Sequence, residues 1–269
     1  MNIIKEHFTS IHQMLSVMES RQNNDVMAGR QSSRDNDKSF CGTKNWDEAI
    51  SIFQNGYVDI LDQIKAGVTQ HLKAMGVTHK RNIRTNVVGY APHVPNAILN
   101  LPNSMILTES QPQKVKAISI VYNMCANCGT GTEEFIKCGI TLLSLVNTLE
   151  LRGYRVNLQT AFFCAADGND RAFGALCVKD YREHLDLQKL CFPVAHPSMF
   201  RRFGFKWLET CSGLVESDWS FGYGRSVSLN NDEKFAAAVL DKNACYIDLP
   251  SIKKNDYDVD KLIKSLAIC

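Results

Sequence analysis

Residues 116–164 read KAISIVYNMCANCGTGTEEFIKCGITLLSLVNTLELRGYRVNLQTAFFC, and this stretch decides the fold. KAISIVYN is an apolar run of strand length. From Thr132 to Arg152, the residues Phe135, Ile136, Ile140, Leu143, Val146 and Leu149 recur at intervals of three and four, which places them on the inner side of one helix. The helix stops before Gly153, and YRVNLQTAFFC follows as a second strand. A strand, a helix and a strand form a βαβ unit, whose crossover makes the two strands parallel. The predicted fold class is therefore α/β: a doubly wound, mostly parallel sheet flanked by helices, with an N-terminal helical extension.

Downstream, GALCVKDY reads as a third strand and DLQKLCFPVA as a short helix or turn leading into a fourth. HPSMFRRFGFKWLETC reads as a helix opened by Pro197, and SGLVESDWSFGYGRS as a surface loop with aromatic residues between Gly and Ser. A helix over Asp232 to Leu240, a strand in ACYIDLP and a helix over Val259 to Ile268 close the chain. Upstream, Ile4, Phe8, Ile11, Met14, Leu15 and Met18 predict an amphipathic helix over 3–19. The polar run Arg21 to Ser39 then predicts a flexible linker. Thr43 or Asn45 can cap a helix carrying Trp46, Ala49, Ile50 and Phe53, ended by Gly56, and a second helix follows over Val58 to Met75. VVGYAPHVPNAILNLPNSMIL, with three prolines, predicts short strands and turns. The resulting division is an N-terminal helix and linker over 1–39, a helical and irregular segment packed on the main domain over 40–114, and the α/β domain over 115–269.

The chain of 269 residues is 45% hydrophobic and 22% charged, which excludes global disorder. No apolar run approaches the roughly 18 residues of a membrane span, and the first twenty residues lack the unbroken apolar core of a secretory leader. Thirty Lys and Arg against 28 Asp and Glu give a net charge of +2, so no overall field draws the chain to nucleic acid or anionic lipid, and any such binding has to be local. Cys138, Cys164, Cys177, Cys191 and Cys245 sit singly in apolar runs, as buried free thiols do, so a reducing, cytoplasmic location is expected.

The loop YNMCANCGTGTEE, between the first strand and the helix, admits three chemistries. Cys125 and Cys128 can supply half of a zinc site, but a second closely spaced pair is missing. They can also form a redox pair, although Gly129 and Gly131 keep Cys128 out of the first helical turn. Thirdly, Gly129, Thr130, Gly131 and Thr132 put free amide groups at a helix N-terminus, which suits an anion. Neither the GK[ST] ending nor the GxGxxG spacing of nucleotide loops is present.

From KAISIVYNMCANC to LELRGYRVNLQTAFF the sequence resembles the first strand, helix and second strand of a von Willebrand factor A domain, over roughly residues 115–250. In that family the first strand ends in an Asp-x-Ser-x-Ser metal-ion-dependent adhesion site. The matching positions here are Asn123, Cys125 and Asn127. Replacing the Asp by an amide and the first Ser by a thiol removes charge and a hard ligand, so the resemblance implies a degenerate cation site and no bound cofactor. The whole chain is also similar to a group of uncharacterised proteins of tailed bacteriophages, through FCGTKNWDEA, GYAPHVPNAILNLPNSM and HPSMFRRFGF. That similarity implies life in an infected bacterial cytoplasm or a place in the virion.

Lys179 and Asp180, ending the third strand, and His196, Ser198, Arg201 and Arg202, where a fourth strand would give way to a helix, are expected at the same carboxyl edge as Asn123 if the sheet is parallel. Such a cluster can bind phosphate or carboxylate. Ser198 lacks the GxSxG elbow of an acyl-transfer nucleophile, and Cys125 with His196 is a conceivable thiol pair. His79 to Asn86, HKRNIRTN, is too thin a basic run to predict nucleic-acid binding. The expected function is a non-enzymatic module that binds another protein through Asn123, Cys125, Asn127, Thr130, Lys179, His196, Ser198 and Arg201. The alternatives are an enzyme or sensor holding a small phosphorylated ligand at that edge, and a thiol or zinc protein using Cys125 and Cys128.

Overall fold

The computed structural model describes residues 1–31, 37–74, 84–89, 91–107, 116–166, 170–215, 223 and 225–266. The chain opens with strand β1 (Asn2–Phe8) and helix α1 (Ile11–Ser20), where helical spacing predicts a single helix. Ile4 and Phe8 lie four apart, a separation that shares one face in a strand as well as in a helix. Ser10 then starts a new element by accepting the Gln13 N–H as N-cap. The segment read as a flexible linker is partly packed: Asn24 donates to the carbonyls of Leu208 and Cys211, and Met27 is buried. Residues 32–36 lie outside the described residues.

Helix α2 (Lys38–Cys41) leads to α3 (Trp46–Asn55), capped by Asn45, and to α4 (Leu61–Ala74). Strands β2 (Arg84–Asn86), β3 (Ala91–Pro92) and β4 (Met105–Leu107) form a small antiparallel sheet in the order β2-β4-β3. Between its strands lies a helix, α5 (Val94–Ile98), where the prolines predict only strands and turns. Pro95 falls in the first turn, where its missing N–H has no helical partner to lose.

The deciding stretch folds as β5 (Lys116–Asn123), α6 (Thr132–Leu151) and β6 (Tyr154–Ala165), with β5 parallel to β6. After them come β7 (Asp170–Lys179), α7 (Leu187–Ala195), a π-helical turn at Met199–Gly204, α8 (Phe205–Thr210) and β8 (Arg225–Ser226). Helix α9 (Glu233–Val239), strand β9 (Ala244–Asp248) and helices α10 (Leu249–Lys254) and α11 (Val259–Ser265) complete the fold.

The main sheet runs β1-β7-β6-β5-β9, with β8 added beside β6. It is mostly parallel and flanked by helices, a Rossmann-like α/β architecture: β5–β6, β5–β9 and β1–β7 are parallel, and β6–β7 is antiparallel. The link from Ala165 to Asp170 is too short for a crossover, so β7 has to turn back as a hairpin. This corrects the expected placement of Lys179, because the carboxyl ends of β7 and β1 lie at the opposite edge from those of β5, β6 and β9. The short helix read over DLQKLCFPVA is α7, but the fourth strand expected after it is absent among the described residues. A short apolar run fits a buried strand or a buried helix equally well by pattern. Here Gly139 of α6 decides the packing: a Cβ there would meet the Ala195 Cβ at 2.5 Å, so α7 lies directly on α6. Phe135, Leu145, Phe192, Phe203 and Trp207 fill the larger core, and Val121, Phe163, Phe173 and Phe235 fill a smaller one.

Candidate functional site

Strand β5 ends at Asn123, which faces Ala161 of β6 and Asp248 of β9 across the sheet. The chain leaves β5 toward β6 on one side and returns as β9 on the other, so a crevice opens between the two carboxyl ends. Its floor is closed by hydrogen bonds. The Asn123 amide donates to the Val227 carbonyl at 2.8 Å and to the Tyr246 hydroxyl at 2.9 Å, while its oxygen accepts the Cys125 N–H at 2.9 Å. One Asp248 oxygen accepts from the Ser251 N–H at 2.8 Å and from the Ser251 hydroxyl, and the other accepts from Ser228 at 2.7 Å and Tyr246 at 3.1 Å. Both residues are buried, and burial followed by the Asp248 charge pushes the Tyr246 pKa up.

The two cysteines of the loop part company. Cys125 turns into the core, where its sulfur accepts the Phe163 N–H at 3.1 Å and lies 4.0 Å from the Cys164 sulfur. Burial, and next the contact with Cys164, raises its pKa well above the ordinary thiol value, so it stays protonated. Cys128 is exposed to solvent. Among the described residues no group of three His, Cys, Asp or Glu is placed to hold a metal ion.

Arg201 holds the loop from behind. Its guanidinium donates to the carbonyls of Phe40 at 2.7 Å, Asn127 at 3.1 Å and Thr130 at 2.8 Å, and lies over the rings of Phe40 and Phe135. The residue is only 2% exposed, and its Nε has no hydrogen-bond partner among the described residues. Burial lowers its pKa, yet an arginine at the edge of such a range remains a cation. What faces outward is the far side of the loop: a crevice of about 490 Å³ lined by Cys125, Asn127, Gly129 and Thr130 on one wall and Leu249, Pro250 and Lys253 on the other. Glu134, in the first turn of α6, pairs with Lys253 at 3.1 Å across it. Thr130 donates its hydroxyl to Asn127 and helps fix the wall.

His196 and Ser198 reach the same side of the molecule as buried joints, not as a rim. The His196 Nδ1 accepts the Ser198 N–H at 3.0 Å, and its ring stacks on Phe192 and meets Tyr57 edge-on. Burial, then the Arg202 charge, pushes its pKa down to about 3, so it is neutral. Ser198 Oγ donates to the Cys41 carbonyl at 2.5 Å and contacts Thr43, which also accepts from Arg202 Nε at 2.6 Å. Gly42 permits this threading: its φ is +81°, and a Cβ there would meet Pro197 and His196 at under 3.0 Å. Lys179 is buried at the other edge, paired with Glu150 and donating to the Val156 carbonyl at 3.0 Å.

The structure thus brings Asn123, Cys125, Asn127, Thr130 and Arg201 together, sets His196 and Ser198 behind them, and separates Lys179. Sequence reading missed Phe40, Glu134, Tyr246, Asp248 and Lys253. Asp248 carries one signal that could have revealed it: a Ser stands three residues on, and Asp248 is the N-cap of α10. Tyr223 stacks on Phe205 at 3.9 Å and donates to Glu209. Asp218, Trp219 and Phe221 of that loop, and His79 to Ile83 of the basic run, lie outside the described residues.

A domain of unknown function, DUF7192, matches residues 1–268. The chain belongs to this family. The DUF7192 match runs from β1 through the small sheet to α11, so these elements are all parts of one family unit. Comparison with curated proteins and with solved structures gave no match.

Proposed function

We propose that this protein is a non-enzymatic binding module of von Willebrand A-like organisation, which engages another protein at the carboxyl edge of β5 and β9. The observation that carries this reading is the contrast across the β5–α6 loop. Asn127, Gly129 and Thr130 face an open crevice, whereas the groups with catalytic potential, Cys125 in its lining and His196 and Ser198 behind it, are already committed. Cys125 is a protonated core thiol, His196 is a neutral core imidazole, and Ser198 spends its proton on a backbone carbonyl. A degenerate adhesion site is the reading that fits Asn123 best, since its amide and oxygen are both used within the fold. The resemblance to tailed-phage proteins makes a phage or host protein the partner, in an infected cytoplasm or in a virion.

A second reading, a small phosphorylated ligand in the same crevice, is favoured by the N-terminus of the 20-residue α6 and by Lys253 at the opposite wall. A photo-crosslinking residue placed at Asn127, compared with one at the exposed Lys264, separates the two in producing cells. A discrete protein adduct at Asn127 alone, with direct binding of that protein reproduced from purified components and weakened by Arg201→Ala, supports the protein module. No adduct, together with a nucleotide-sized mass lost when the native protein is denatured, replaces it with the ligand-binding reading.

A further inference from the structure

The segment carrying the small sheet has no fully buried residue among those described from 85 to 106, and strands of three, two and three residues do not make a core of their own. Nine large hydrophobic side chains are exposed among the described residues, and six of them, Val87, Val88, Val94, Ile98, Leu99 and Leu101, fall in this one segment. Val88 and Ile98 are each 74% exposed. Scattered single apolar residues need no explanation, but a cluster of this kind marks a contact surface.

Charge identifies what covers it. From Thr85 to Thr108 the sequence has no Asp, Glu, Lys or Arg. Its flanks are basic: residues 72–116 contain six Lys and Arg against one Glu, a net +5, which leaves −3 for the remainder of a chain whose total is +2. Lys80, Arg81 and Lys114 lie outside the described residues and count here only as charge of the sequence. Two copies meeting through this segment would bring two such cationic flanks together. A protein socket would draw on Trp, Tyr and Arg anchors, whereas the exposed large hydrophobic side chains among the described residues here are Val, Ile and Leu, of which Val and Leu are under-represented at protein hot spots. A bilayer surface needs no shaped socket, and anionic headgroups complement the flanks.

We infer that residues 87–89 and 91–101 form a peripheral docking surface for an anionic lipid bilayer, with Val88, Ile98 and Leu99 entering the boundary between headgroups and acyl chains. The contact is superficial, reaching about 5–10 Å. No helix of the described residues is long and apolar enough to cross a membrane. The surface is distinct from the crevice, and the inference stands or falls independently of the binding proposed there.

The test is co-sedimentation of the full chain with vesicles of phosphatidylcholine alone and of phosphatidylcholine mixed with phosphatidylglycerol. The chain should pellet with the mixed vesicles and stay in solution with the neutral ones, and binding should fall at least about tenfold on raising the salt, as a contact of several cations does. The double variant Ile98→Asp, Leu99→Asp should lose binding while keeping the parent melting curve, since both side chains are exposed. Three results each overturn the inference. The first is no binding to the mixed vesicles. The second is full binding by the double variant, which would mean cationic adhesion only. The third is a concentration-dependent dimer in lipid-free sedimentation that the double variant dissolves, which would mean that a second copy covers the surface.

Discussion

At the carboxyl edge of the main sheet, Asn123 and Asp248 are buried with every side-chain oxygen and nitrogen engaged, while in the segment 85–106 no described residue is buried at all. Both regions contain residues that sequence reading could take for a binding surface. Only their surroundings tell them apart. At the edge, polar side chains face inward and hold the loop that forms the crevice wall, so their chemistry serves the fold. In the small sheet, apolar side chains face outward and no described residue is fully buried, which is the basis of the contact proposed there. A cluster of reactive residue types is therefore a weaker sign of an exposed site than an uncharged apolar run whose flanks carry the charge.

The comparison breaks most severely if Arg201 is not structural. Arg201→Ala removes three hydrogen bonds from a buried cation and two ring contacts, and should cost about 3–5 kcal/mol in chemical denaturation. A loss under about 1 kcal/mol, the level of an ordinary surface contact, would mean that the loop holds itself. Next in size is Asn123→Asp, which introduces the first residue of the cation motif of the von Willebrand A domains that this stretch resembles. The carboxylate cannot donate to the Val227 carbonyl, and it comes to lie beside Asp248, so stability should fall by about 2–4 kcal/mol. Added magnesium should not recover it. Recovery in a thermal melt would show a latent cation site instead of a degenerate one.

Acid sharpens the same contrast. The unfolded chain protonates His196 near 6.5, whereas the folded chain keeps it neutral down to about 3. The folded state therefore binds fewer protons in that window. The stability linked to His196 is intact above 6.5 and is lost as pH falls toward 3, at roughly 1.4 kcal/mol per pH unit. Urea midpoints of His196→Gln, compared with the parent, should show a flatter decline between neutral pH and about pH 5. An unchanged slope would place the acid sensitivity elsewhere. The smallest effect belongs to the apolar segment, where Ile98→Asp with Leu99→Asp should alter stability by no more than about 0.5 kcal/mol. A larger loss would reveal that these side chains are packed after all.

Much of the fold was legible because periodicity and burial agreed. Helix α6 follows its apolar spacing from Thr132 to Leu151, and β5, β6 and β9 fall on their apolar runs. What failed was direction and alternative period. Strand β1 hid behind a four-residue spacing common to both structures, and the apolar end of α7 reads as leading into a strand that is absent among the described residues. The reversal of β7, which sends Lys179 to the far edge, lay only in the length of the link after Ala165. At the site, the loop from Asn123 to Thr132 could be placed from pattern alone. The inward turn of Cys125 and the Arg201 clamp could not, because both depend on Phe163 and Phe40, which are distant in sequence.

The most direct test of the contrast is amide hydrogen exchange on the free full-length chain, read at Val121–Cys125 and at 94–101. The closed edge predicts strong protection through Cys125, whose N–H is bonded to Asn123, and the uncovered segment predicts exchange orders of magnitude faster. Equal protection in the two regions would contradict the account, since it would mean that the apolar segment is already covered in the free protein or that the edge is open.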